Sequence, residues 1–209
     1  MNIMYDTPKD SAQVEQTIMA LKADGIDAII AKDGTDAKNK VLEMIPRGAS
    51  VMTMTSVTLD TLGLTETINT SPDYASVRAQ MAKMDPKTQK AEMRVLGGAP
   101  EYTVGSVHAV TMDGKVLIAS NTGSQLPAYA YGAGKVIWVV GTQKIATDLD
   151  DGMKRVYDYV LPLEATRARK AYGIPENRPG SFVSKLLIVN KEITPGRITI
   201  VFVPENIGY

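Results

Sequence analysis

The apolar positions along the chain fall into runs of two periods. Val14, Ile18 and Leu21 recur at helical spacing, and Thr7-Pro8 before them has the chemistry of a helix start, with Gly25 as the stop. Ile26 to Ala31 then reads as a buried strand. A second helix from about Thr35 carries Ala37, Val41, Leu42 and Ile45 on one face and ends before Pro46, and Ala49 to Thr53 follows as another strand. From Ser56 to Gly98 the strand pattern lapses. Ser71-Pro72 and Asp85-Pro86 read there as capped helix starts, so a helical excursion over about 57–98 is expected, with Met81, Met84 and Met93 filling helix interfaces. Strands resume at Tyr102 to Gly105, Lys115 to Ala119 and Val136 to Val140. Asp148 then opens a long helix with Met153, Val156, Tyr157, Val160 and Leu161 on its apolar side, broken at Pro162 and closed near Tyr172-Gly173. Leu186 to Val189 and Arg197 to Val203 are the last strands. Helices alternating with short apolar strands predict an α/β fold: one domain over 1–209, with a mostly parallel sheet covered by helices on both faces.

Composition narrows the chemistry. The chain has 209 residues and no cysteine, which removes iron–sulfur ligation, thiolate zinc sites, disulfides and thiol catalysis. Lysine plus arginine equals aspartate plus glutamate at 23 each, so the basic footprint of a nucleic-acid binder is missing. No segment has the roughly 20 apolar residues that span a bilayer, and the amino-terminal residues lack a basic stretch followed by an apolar run. A cytoplasmic location, with no membrane and no nucleic-acid partner, is the expectation. Neither the dinucleotide nor the P-loop glycine pattern occurs, and no cofactor is evident.

Candidate chemistry gathers at strand ends. After the run Val116 to Ala119 comes Ser120-Asn121-Thr122-Gly123-Ser124-Gln125, then Pro127. A strand-to-helix turn of this kind can aim free N–H groups and polar side chains at a carboxylate or phosphate. The same residues can equally cap their own loop. Gly141-Thr142-Gln143-Lys144 follows the next strand and adds a cation, although most lysines are solvated. Ser106 and His108, the single histidine, follow Gly105; Ser56 and Thr58 follow Thr53. One histidine allows a lone acid–base group but no two-histidine metal site. Among the carboxylates, Glu66 is the candidate nearest to a strand-end turn, while Glu164 and Arg167 have the spacing of a surface ion pair.

Five segments together carry a family likeness: IPRGASVMTMTSVTLDTLGL; GSVHAVTMDGKVLIASNTGSQLPAYAYGAGKVIWVVGTQKI; DLDDGMKRVYDYVLPLE; KLLIVNKE; and PGRITIVFV with a final NIGY. In order and spacing the chain resembles the lactate-utilisation (LUD) domain family from about Ile45 to Tyr209. The resemblance implies a three-layer α/β fold like that of sugar-phosphate isomerases and coenzyme A transferases. It also implies a link to oxidation of L-lactate to pyruvate beside iron–sulfur partner proteins. Met52-Thr-Met-Thr55 and Thr111-Met-Asp-Gly114 depart from the lactate-operon pattern and suggest a stand-alone branch. The residues carried over as ligand-binding candidates are Ser56, Thr58, Ser106, Asn121, Gly123, Ser124, Gln125, Gly141 and Lys144, with His108 and Glu66 as catalytic candidates. Three readings follow: a protein binding a small anionic, phosphorylated or acyl metabolite in a strand-end crevice; an isomerase or transferase using His108 or Glu66; and a structural subunit docking through its Met-rich helices. A homodimer is an open possibility for any of them.

Overall fold

In the computed structural model, residues 5–209 are described, and the first four residues of the amino-terminal reading lie outside them. The elements are α1 (Ser11–Ala23), β1 (Asp27–Ile30), α2 (Gly34–Glu43), β2 (Ser50–Thr53), α3 (Val57–Thr61), α4 (Leu64–Thr70), β3 (Ala75–Ser76), α5 (Val77–Met81) and α6 (Lys90–Gly98). Next come β4 (Tyr102–Gly105), β5 (Ala109–Thr111), β6 (Val116–Ser120), β7 (Lys135–Gly141), β8 (Ile145–Ala146), α7 (Leu149–Lys154), α8 (Leu161–Tyr172), β9 (Lys185–Val189) and β10 (Ile198–Val203).

A six-stranded sheet runs β1-β10-β7-β4-β2-β3, with every neighbouring pair parallel. Both faces are covered, as the continuous apolar runs of β7 and β10 require. Val136, Trp138 and Val140 of β7, with Ile200 and Phe202 of β10, pack on one side against Val14 and Leu21 of α1 and Val116 and Ile118 of β6. Ile137, Val139, Val201 and Val203 face the opposite way, onto Ala37 and Val41 of α2, Leu59 of α3 and Leu64 and Ile68 of α4.

The strand over 115–119 does not join this sheet. It pairs in a second, four-stranded sheet ordered β8-β5-β6-β9, in which β6 is antiparallel to both β5 and β9. One face of this small sheet covers the large one, and its other face, with Ala109 and Leu117, packs on Val156 and Met153. β5 and β8 are too short, at 3 and 2 residues, to register as periodic patterns.

Several boundaries move for local reasons. Asp10, rather than Thr7, caps α1: its carboxylate accepts from Gln13 N–H at 2.9 Å, and the Gln13 side chain returns to the Asp10 N–H, closing a capping box. Ser71-Pro72 and Asp85-Pro86 form turns instead of helix starts. The Ser71 hydroxyl accepts from Asp73 N–H at 3.1 Å, and the Asp85 carboxylate accepts from Lys87 N–H at 2.9 Å, closing each side chain onto a turn two residues on. The first turn leads into β3, where no strand pattern was visible. Asp148 caps α7 as its sequence suggests. The break expected at Pro162 takes the form of a π-helical segment, Arg155–Val160, between α7 and α8. Gly173 closes α8 in the left-handed conformation, at φ 61°.

Candidate functional site

Three neighbouring strands of the large sheet, β2, β4 and β7, end side by side, and a cavity of about 390 Å³ opens beyond their carboxyl ends. Ligands in parallel sheets collect at this position. Its floor is built by the segments that leave those strands. Ser56 caps α3, its hydroxyl oxygen accepting from Leu59 N–H at 3.4 Å, so its proton is free to be donated. Thr58 is the second residue of α3, with its hydroxyl donating to the Ile207 carbonyl at 3.3 Å. Ser106 and His108 leave β4, and Lys144 ends the short 3₁₀ turn Thr142–Lys144 that follows β7.

Lys144 is 1% exposed. Its Nζ lies 2.9 Å from Thr58 Oγ1, 3.0 Å from Ser106 Oγ and 3.3 Å from the Val107 carbonyl oxygen. No carboxylate of the described residues is within ion-pair distance of it. Burial, and then the nearby Arg155 guanidinium, push its pKa well below the usual lysine range. Arg155 is fully buried. It donates to the His108 carbonyl and lies 5.9 Å from the Tyr5 ring and 5.2 Å from the Tyr159 ring, while its Nε and Nη2 have no hydrogen-bond partner among the described residues. Burial lowers its pKa to about 10. The Arg155 charge thus opposes protonation of Lys144, while Asp6 and Asp151 act in favour of the charged Arg155.

His108 Nδ1 accepts the Ala119 N–H at 3.0 Å. That bond assigns the ring proton to Nε2, which has no protein partner and stays available to the cavity. Burial, with Lys144 and Arg155 adding to it, drives the His108 pKa to about 3. The ring is therefore neutral near pH 7, a hydrogen-bond donor with no accessible imidazolium.

The cavity wall opposite the strand ends comes from α8. Arg167 binds Glu164 in a two-pronged ion pair, both contacts 2.7 Å, and the Tyr209 hydroxyl donates to the same carboxylate at 3.0 Å. Burial, followed by Glu164, raises the Tyr209 pKa. Tyr172, Ile174 and Phe182 add an apolar rim. Tyr129 closes the inner end, edge-on to Trp138 with ring centroids 5.4 Å apart. Among the described residues no cluster of three His, Cys, Asp or Glu side chains offers a metal-ligand set.

Residues 14–203 match the LUD domain family. The chain belongs to that family. A search of curated proteins finds no match. Among solved structures, the LUD chain is similar in fold to a DUF162 family protein from Deinococcus radiodurans, at TM-score 0.57 and 11% identity, covering 94% of this chain and 99% of the other.

The LUD chain brings most of the residues singled out in its sequence to one cavity: Ser56, Thr58, Ser106, His108, Asn121, Ser124, Gln125 and Lys144 all line it. Lys144 is not the solvated lysine that base rates favour. Glu66 stands exposed on α4, away from the cavity lining, so it is not placed to move a substrate proton. Gly141 is also outside. A Cβ on it would run into the Gln143 side chain and the Glu205 backbone, so its lack of a side chain serves packing. The loop after β6 largely satisfies itself, as the capping alternative foresaw. Gly123 N–H donates to Ser120 Oγ at 2.9 Å and Ser124 N–H to Thr122 Oγ1 at 3.3 Å, and the helix that follows is only the five-residue π turn Ala128–Gly132. This loop forms a polar rim, with Gly123 itself outside the lining, and is no amide cradle. Missed in the sequence were Arg155, Tyr129, Tyr209 and the role of Glu164 and Arg167 as cavity wall. An arginine on the apolar side of a helix, between Gly152 and Val156, was the one available signal.

Proposed function

We propose that this LUD domain protein serves lactate or related organic-acid metabolism by holding a small anionic, phosphorylated or acyl metabolite in the strand-end cavity. One observation carries the reading: the Lys144 amine is buried in the cavity lining beside the buried Arg155 guanidinium, whose charge helps to push the Lys144 pKa down, and Lys144 has no carboxylate of the described residues in ion-pair contact. Charging a buried amine without a counter-ion is costly, and an anion entering the cavity supplies that counter-ion, so anion binding and protonation of Lys144 favour each other. Hydroxyls of Ser56 and Ser106 and the Nε2–H of His108 supply uncharged donors in the same cavity as Lys144. Family membership ties the chain to lactate utilisation at a coarse level, and a chain without cysteine leaves any cluster-borne electron transfer to iron–sulfur partner subunits. Isomerase or transferase chemistry resting on His108 and Glu66 has less support, because one is held neutral and the other is outside the cavity.

The test is thermal stability of the intact protein against L-lactate, pyruvate, inorganic phosphate and coenzyme A. A ligand at 100 times its dissociation constant stabilises by about 2.7 kcal/mol, and Lys144→Met abolishes the shift. Unchanged melting with all four compounds at millimolar concentration overturns the proposal.

A further inference from the structure

We propose that the Lys144 amine is a carbonyl nucleophile, and that the cavity takes a 2-oxo acid as a covalent imine on its Nζ. The acid half of that substrate class rests on the anion-binding reading above; the amine half rests on Lys144 alone. Three structural facts support it. The partners of Nζ are two hydroxyls and a carbonyl, at 2.9, 3.0 and 3.3 Å, with no carboxylate to hold an ammonium. The side chain is buried, yet it forms part of the cavity lining. The Ser106 hydroxyl, whose hydrogen can rotate, stands 3.0 Å away as a proton carrier. Desolvation beside a second cation is a general way of keeping a lysine amine unprotonated and reactive, and both conditions hold for Lys144.

The chemistry balances without an external oxidant or reductant. The Nζ lone pair attacks the carbonyl carbon, and the carbonyl electron pair moves to oxygen. One N–H proton passes through Ser106 Oγ to that oxygen, giving a neutral carbinolamine. Loss of the hydroxyl, with a second proton from nitrogen, releases one water and leaves the imine. A 2-oxo acid places a carboxylate next to the reacting carbon, where Ser56 O–H and His108 Nε2–H can hold it. L-Lactate has the same carboxylate but an alcohol carbon, so it can occupy the site without bonding to it.

The experiment incubates the full chain with pyruvate, adds borohydride and maps the modification by peptide mass spectrometry. The expected product is a secondary amine on Lys144, heavier by pyruvic acid less one water plus two hydrogens, labelled roughly tenfold more than any exposed lysine. L-Lactate suppresses the labelling, and Ser106→Ala slows it while pyruvate still raises the melting temperature. If pyruvate stabilises the protein but no adduct is trapped on Lys144, or if label spreads evenly over exposed lysines, covalent capture is wrong and anion binding stands. If neither pyruvate nor lactate shifts the melting temperature and no adduct forms, both proposals fall. Because the label is mapped on the unaltered chain, the result does not depend on whether a Lys144 variant folds.

Discussion

Lys144 shows how one side chain can be worth little to stability and much to binding. Its partners are neutral and the amine is desolvated, so replacing it by an apolar group of similar volume leaves folding nearly untouched. Lys144→Met is expected to change the unfolding free energy by no more than about 1 kcal/mol in a urea titration, while any anion-induced shift disappears. His108 makes a pH prediction with a definite sign. Its folded pKa of about 3 lies below the ordinary value near 6.5, so between those limits the unfolded chain binds the extra proton. Stability is fully present above about pH 6.5 and is lost as pH falls toward 3. Lys144, also depressed, adds loss of the same sign. His108→Asn is expected to flatten the decline between pH 6.5 and 4 when melting temperature is followed against pH. Gly105 contributes by what it lacks: a Cβ there would occupy the position of the Tyr129 hydroxyl. Gly105→Ala forces Tyr129 off Trp138 and costs about 1–3 kcal/mol, the range for overpacking a filled core, readable as a lower denaturant midpoint.

Among the elements, the cap at Asp148 was legible in the sequence, whereas α1 is capped by Asp10 and not by Thr7. The Asp148 carboxylate accepts from Asp151 N–H at 2.9 Å. Asp148→Ala is expected to lower stability by about 1 kcal/mol in the same titration and to loosen the π segment that carries Arg155. The turns at Ser71-Pro72 and Asp85-Pro86 misled because serine or aspartate before proline suits a turn as well as a helix start, and only the contacts of the following residues choose between them. β5 and β8 escaped notice for a different reason. Strands of 3 and 2 residues contain less than two full periods of alternation, and their pairing with each other and with β6 is a long-range event.

Over the whole molecule, the apolar-rich runs at 26–31, 49–53, 102–105, 136–140 and 197–203 foreshadowed a buried parallel sheet, because strands covered on both faces read as near-continuous apolar runs, although the apolar run 116–119 joined the second sheet. The same runs say nothing of strand order. β2, β4 and β7 are separated by dozens of residues yet end together, and that adjacency brings Ser56, Thr58, Ser106 and Lys144 to one cavity floor. The residues after each strand were therefore legible as candidates one loop at a time. Which of them were buried, and which faced one another, was not.

The sequence by itself determined the α/β class, the main helices and strands, the absence of sulfur chemistry and the family, since these follow from local periodicity, composition and motif order. Tertiary structure alone decided that the small second sheet separates from the large one, that the loop after β6 consumes its own amides, and that Lys144 and Arg155 share a desolvated space. Charge state and hydrogen-bond partners depend on neighbours distant in the chain, and burial, which no local pattern encodes, turned an ordinary lysine into the centre of the site.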